Sequence, residues 1–258
     1  MNWGEVVLLS ILEGLTEFLP ISSTAHLLLA GKLLGISLSG FQKLWVVVIQ
    51  SGAILAVIPA FLRLLKKDLR LLEKIALSFL PTATVGFFLH HLIKNTFFSS
   101  YLLMAWMLIL VGGVFILVEW LLKKGVLKSG RHLKTLSFKE AFIIGLVQAL
   151  AVVPGVSRAG AVMVIMMILG FTRREAALYS FSLAVPTILA ASVFDFLKTG
   201  TGLSFGGNQF SFLLGGFLLS FLTAYMAANW FLRFLKKRSL LIFAVYRFLL
   251  GGAILLLF

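Results

Sequence analysis

The run Glu13-Gly14-Leu15-Thr16-Glu17-Phe18-Leu19-Pro20-Ile21-Ser22-Ser23-Thr24-Ala25-His26 lies in the middle of an apolar region, Asn2–Leu38, and breaks it. The flanks read as helix, but Pro20 removes a backbone donor and the hydroxyl run favours a helix start over a helix interior. Irregular backbone inside an apolar region survives at membrane depth where protein or a wet cavity surrounds it. A second region, Phe138–Phe171, is interrupted in the same way at Pro154-Gly155-Val156-Ser157. Both regions read as re-entrant helix–break–helix hairpins.

Six further apolar segments approach the ~20 residues that span a bilayer: Leu44–Leu62, Ile75–Ile93, Tyr101–Leu122, Ala177–Leu197, Phe210–Leu232 and Leu240–Phe258. The expected fold is therefore all-α, a polytopic integral membrane protein. Each half is a hairpin followed by three helices, and the odd number of crossings inverts the second half relative to the first. Gly14-Leu15-Thr16-Glu17 before one break and Gly145-Leu146-Val147-Gln148 before the other mark the repeat. The chain reads as one membrane domain, 1–258, with half one at about 1–122, a linker at about 123–137 and half two at about 138–258.

Composition supports the same class. Of 258 residues 60% are hydrophobic and 12% charged, and the mean hydropathy is +1.07, so a water-soluble globule is excluded. Twenty-three Lys and Arg against nine Asp and Glu give a net charge of +14. Fifteen of the basic residues fall in three stretches, Arg63–Lys74, Lys123–Lys139 and Arg233–Arg238, which marks the cytoplasmic side. Both termini, and the mouth of the first hairpin, then face outward. The excess charge reads as a topology signal and as attraction to anionic lipid; nucleic acid is not expected as a partner. Cysteine is absent, which removes disulfide and thiolate chemistry. Glu5 interrupts any basic leader, so the start reads as that of the mature protein.

Charge inside apolar segments is costly and calls for a reason. Glu13 and Glu17 lie four apart, so on a helix their carboxylates share one face, a turn apart. Two such charges repel unless a cation lies between them or one is protonated. Ser22, Ser23 and Thr24 follow at the start of the next helix, where hydroxyls cap and free amides attract an anion such as phosphate. His26 is on the face of Ser22 and Ser23. Carboxylates, a hydroxyl and an imidazole are the ingredients of metal-assisted or nucleophilic hydrolysis. The second break adds Ser157 and Arg158, the latter suited to bidentate phosphate binding.

Structural alternatives stand beside these readings. Glu13 has one as an ion-pair partner of Arg158 or Arg247, and Ser22, Ser23 and Thr24 have one as helix caps. Arg247 has two readings, counter-ion or second phosphate ligand. Glu5 and Lys32 are expected at the interface, Glu119 and Asp195 in structural roles, and His90 and His91 in solvent. Trp3, Trp45, Trp106 and Trp230 are expected in an aromatic belt.

The segment Glu13 to His26 and Pro154-Gly155-Val156-Ser157-Arg158 resemble the two signatures of the bacterial undecaprenyl pyrophosphate phosphatases, the bacitracin-resistance membrane family. The resemblance continues through Val48-Ile49-Gln50-Ser51-Gly52, Phe181-Ser182-Leu183-Ala184-Val185-Pro186 and Ala244-Val245-Tyr246-Arg247-Phe248. It implies an enzyme of the bacterial plasma membrane that dephosphorylates undecaprenyl pyrophosphate with a divalent cation, Mg2+ or Ca2+. It also implies an inverted repeat with two re-entrant hairpins. Glu13 and Glu17 would hold the cation or act as base. Ser23 is the candidate nucleophile, with water as its rival, and His26 a proton carrier or stabiliser of the intermediate. Arg158 with Ser157, Ser22 and Thr24 would bind the phosphates. The chain departs from the pattern at Ala25, Ala159 and Val162, which replace a glycine, a serine and a threonine. A transporter or polyprenyl-phosphate flippase is the alternative, since inverted repeats with broken helices are also a transport architecture. A homodimer stays open.

Overall fold

The two hairpins begin with the same device. Asn2 accepts from the Glu5 amide while the Glu5 carboxylate reaches back, and Ser137 and Glu140 repeat this capping box 135 residues later. In the computed structural model, which describes residues 1–36, 40–66, 68–89, 92, 96–199 and 206–258, these boxes open α1 (Trp3–Thr16) and a later helix, α7 (Phe138–Ala149). Between and after them run α2 (Ser23–Leu33), α3 (Gly40–Leu55), α4 (Ile58–Leu65), α5 (Arg70–Phe88), α6 (Tyr101–Lys123), α8 (Arg158–Ile168), α9 (Arg173–Thr199), α10 (Gln209–Phe234) and α11 (Leu241–Leu257). Among the described residues there is no strand, only an isolated bridge between Arg131 and Phe171. His90 and His91 lie outside the described residues.

Both breaks are where proline and the hydroxyls put them, between α1 and α2 and between α7 and α8. The four pieces, 14, 11, 12 and 11 residues long, are each too short to cross a bilayer. Four helices, α5, α6, α9 and α10, are long and apolar enough to do so. The expected span Leu44–Leu62 is instead two helices, α3 and α4, bent by 45°. Pro59, within the first two positions of α4, is the local cause: it fits a first turn and cannot donate the hydrogen bond that would continue α3. The last expected span, Leu240–Phe258, holds a helix of 17 residues, about 25 Å at 1.5 Å per residue, a little short of the hydrocarbon core.

Large apolar side chains cover the outside. On α6 alone Leu102, Trp106, Leu110 and Leu117 are exposed, a surface that only lipid can cover favourably. Trp3, Trp106 and Trp230 are on such surfaces, but Trp45 is not in a belt. It is 1% exposed, and its indole N–H donates to the Phe212 carbonyl at 3.2 Å. Lys32 stays near the periphery with its ammonium over the Tyr101 and Phe258 rings. Glu119 accepts from Arg173 and from the Leu240 amide, the structural role expected of it. In the first turn of α7, hydrogen bonds from Arg131 and then from Ser137 hold the Glu140 carboxyl down to about 2.

Matched contacts seat the hairpins. α1 packs along α10, and α7 packs along α5. Gly14 and Gly145 make both approaches close. A Cβ on Gly14 would lie 2.5 Å from the Ser220 carbonyl oxygen, and one on Gly145 would lie 2.3 Å from that of Ser78. Gly145→Ala must therefore push α7 off α5, and should lower stability by about 2–3 kcal/mol in denaturant or thermal unfolding.

Candidate active site

Ser22 and Ser157 share a conformation that L-residues rarely adopt, with φ of 72° and 71°. Each is the N-cap of the helix that follows its break, α2 or α8. Strain of this kind costs on the order of 1–3 kcal/mol and is kept where surrounding structure fixes it. Here the serine hydroxyls do so. Ser22 Oγ accepts from the Ala25 amide at 3.4 Å and from the Gly155 amide of the other break at 3.3 Å. Ser157 Oγ accepts from the Gly160 amide at 3.2 Å. Gly155 itself has φ +94°, and a Cβ there would lie 2.4 Å from the Met104 carbonyl oxygen. The two breaks thus touch, and the N-termini of α2 and α8 come together with their first amides free of intrahelical partners.

Glu17 links the two breaks. One carboxylate oxygen accepts from Ser23 Oγ, and the other accepts from Arg158 Nη2 at 3.0 Å. Arg158 is oriented further by donating through Nη1 to the Ser180 carbonyl at 2.8 Å. The side chains of this pair are 12% and 8% exposed, so water screens it weakly. The pairing of Arg158 is with Glu17, not with Glu13.

Glu13 lies a turn below Glu17, fully buried, and among the described residues neither of its oxygens has a hydrogen-bond partner. Its charged neighbours are Glu17 and Arg158. An orphaned buried carboxylate beside a second carboxylate fits a bound cation or a shared proton. Among the described residues no group of three or more acidic or histidine side chains forms a cage. Two carboxylates suit a hard divalent ion that completes its shell with phosphate oxygens and water.

His26 has both ring nitrogens engaged. Its Nδ1 meets the Ser22 carbonyl at 2.7 Å and its Nε2 the Tyr246 hydroxyl at 2.6 Å, with the two rings stacked 5.6 Å apart. Ser23 Oγ is hydrogen-bonded to Glu17, not to His26. Thr24 is half-buried in the first turn of α2, and its hydroxyl makes no hydrogen bond to the described residues. Ala25, Ala159 and Val162, the departures from the family pattern, are packed in the interior.

Arg247 is neither a carboxylate's counter-ion nor a group open to a ligand. It is 0% exposed and donates to five carbonyls: Pro20 at 3.0 Å, Leu108 at 3.2 Å, Val156 at 3.2 Å, Met107 at 3.4 Å, and Gly155. Three of these belong to the breaks, where backbone acceptors are freed. Tyr246 and Arg247, adjacent on α11, are the two site-building residues that sequence reasoning did not assign. The adjacency of a phenol and a guanidinium in an apolar helix was the available signal. Tyr246→Phe keeps the ring and removes the hydroxyl, so turnover should fall about tenfold while the melting temperature stays nearly fixed.

Residues 6–253 match the family model described as bacitracin resistance protein BacA. A protein named undecaprenyl-diphosphatase from Aquifex aeolicus is 40% identical over 97% of this chain and 96% of its own. Proteins of the same name from Campylobacter fetus and Campylobacter hominis are 43% and 42% identical, covering 99% and 98% of both chains.

Proposed function

The chain belongs to the bacitracin resistance protein BacA family, and from that membership and the Glu17 cluster we propose that it hydrolyses undecaprenyl pyrophosphate to undecaprenyl phosphate and phosphate. The observation that carries this reading is one carboxylate, Glu17, bonded at once to a serine hydroxyl from its own half and to an arginine from the other. A site that only carried an anion would need Arg158 and the helix amides, and would leave the Ser23–Glu17 bond without a purpose. The transporter alternative is therefore set aside.

In the proposed reaction the terminal phosphate is received by Arg158 and the free amides at the starts of α2 and α8, with Ser22 and Ser157 fixing those helix ends and Thr24 and its hydroxyl alongside. Glu17 takes the proton of Ser23 Oγ as that oxygen forms a bond to the terminal phosphorus. The bond from phosphorus to the bridging oxygen breaks, and undecaprenyl phosphate leaves with the electron pair. Glu17, once its proton has passed to solvent, deprotonates a water whose oxygen bonds to phosphorus; the bond from phosphorus to Ser23 Oγ breaks, and Glu17 returns the proton to Oγ as phosphate leaves. His26, held between the Ser22 carbonyl and Tyr246, fixes the turn that presents Ser23. Glu13 and Glu17 would hold a divalent cation, Mg2+ or Ca2+, which when bound offsets the charge of the pyrophosphate.

Matched capping boxes, glycines and left-handed serines support an inverted repeat with re-entrant hairpins. The basic stretches at 63–74, 123–139 and 233–238 support placing the termini and the reacting group on the outer side of the bacterial plasma membrane. There the enzyme would recycle the lipid carrier of cell-wall synthesis and confer resistance to bacitracin.

Phosphate release from undecaprenyl pyrophosphate by the purified chain in detergent tests the function, because transport has no meaning without two compartments. Wild type should release phosphate, and Arg158→Ala should release it at least about a hundredfold more slowly. A wild type without activity would overturn the function; an active Arg158→Ala would overturn the site.

A further inference from the structure

α4 does not follow the path of α3. α3 packs along α10, but the 45° bend turns α4 toward α9 and α5. A cleft of about 930 Å³ opens between α4 and the end of α10. One wall is a single face of α4, with Ala60, Arg63 and Leu64. The other is a single face of α10, with Tyr225, Asn229 and Leu232. Buried Leu71 and Leu133 underlie it. None of its lining residues belongs to the Glu17–Ser23–Arg158 cluster.

Arg63, Lys134, Arg174, Arg233 and Lys236, all exposed, converge on this cleft from four segments of the chain. Among the described residues none of the five is in ion-pair contact with a carboxylate. Among the described residues the ion pairs of this face are Arg131–Glu140, Arg173–Glu119 and His132–Glu175. The two acids of the cleft are engaged by backbone: Glu175 accepts from the Leu133 amide at 2.9 Å and Asp68 from the Arg70 amide at 3.1 Å. A topology signal requires basic residues on one side of the membrane; it does not require five of them around one helix-lined cleft. Their mutual repulsion is relieved by an anion. The apolar side matters equally, because Tyr225 is half exposed and the flank of α10 continues through exposed Leu222 and Leu218. Cations at loop level above an apolar flank match an amphiphile better than a free ion.

We propose that this cleft binds an anionic phospholipid, its phosphate among Arg63, Arg174 and Arg233 and an acyl chain along Leu64, Tyr225 and Leu232. The site is independent of the phosphatase chemistry and rests on the bend that parts α4 from α10. Its position at the ends of α4, α9 and α10 would let the lipid fill the gap between α4 and α10.

Native mass spectrometry of the full chain, titrated with phosphatidylglycerol or phosphatidylcholine, tests the proposal, with inorganic phosphate as competitor. Phosphatidylglycerol should be retained about tenfold more than phosphatidylcholine, and Arg63→Gln/Arg174→Gln/Arg233→Gln should remove that preference. Leu232→Trp, which fills the groove and keeps every charge, should also reduce retention, and it decides the matter if the triple variant does not fold. Lys124→Gln/Lys128→Gln/Lys237→Gln takes the same charge from the same face outside the cleft and should change nothing. Phosphate release from undecaprenyl pyrophosphate should persist in all variants, so failure here is distinct from failure of the proposed activity. Equal retention of the two lipids by the wild type would overturn the proposal. So would equal loss in the Lys124/Lys128/Lys237 variant, which means diffuse charge. Displacement by millimolar inorganic phosphate would do the same, since it means a free-anion site.

Discussion

Glu17→Gln is expected to slow phosphate release by about a thousandfold, some 4 kcal/mol in the barrier, with little change in melting temperature. The amide retains an oxygen for Arg158 or for Ser23, so the packing at the junction survives. What it loses is the negative charge that takes the serine proton. Retention of more than a tenth of wild-type turnover would remove Glu17 from the role of base. Ser23→Ala divides the two chemical routes: if Ser23 attacks, this variant matches Glu17→Gln in severity and no phosphoserine can be trapped. If water attacks, Ser23→Ala retains substantial turnover and Glu17 serves water instead.

Arg247→Met is expected to act on folding. The fully buried guanidinium serves five backbone carbonyls, and methionine of similar length serves none. At about 1–3 kcal/mol for each buried acceptor left unpaired, the loss approaches the whole stability of a typical domain. The variant should fail to accumulate, or should melt far below the wild type with both breaks loosened. Arg247→Lys keeps the charge but has a single nitrogen, so it should fall between the two. A variant Arg247→Met that melts like the wild type would show that the carbonyls find other donors.

Much of the site was legible because it is local. Glu13, Glu17, Ser22, Ser23 and His26 fall within 14 residues, and scarce charge in an apolar region points to them. The bonds of Glu17 to Ser23 and of Ser22 to the α2 amide are short-range consequences of that order. Arg158 is 141 residues from Glu17, and sequence assigned it by resemblance and by its place after the second break. Pro59 could have revealed the bend between α3 and α4 but lay inside a long apolar run whose length alone was read. Trp45 was misplaced because an indole in an apolar helix looks the same to sequence whether lipid or a neighbouring helix covers it.

His26 and Arg247 mark the boundary most clearly. Spacing placed His26 on the face of Ser23, but a hydroxyl 220 residues away decides where its ring points. Arg247 was expected to meet a charge, yet its partners are main-chain carbonyls that any residue could present, so no side-chain pattern records them. From sequence alone came the all-helical membrane class, both breaks, the family and the residues gathered near the first break. Tertiary structure decided which carboxylate meets the arginine, which donor satisfies the broken backbone and where the basic loops enclose a cleft. Hydrophobic period and turn chemistry are local properties written residue by residue, whereas the pairing of buried polar groups depends on helices brought together from distant parts of the chain.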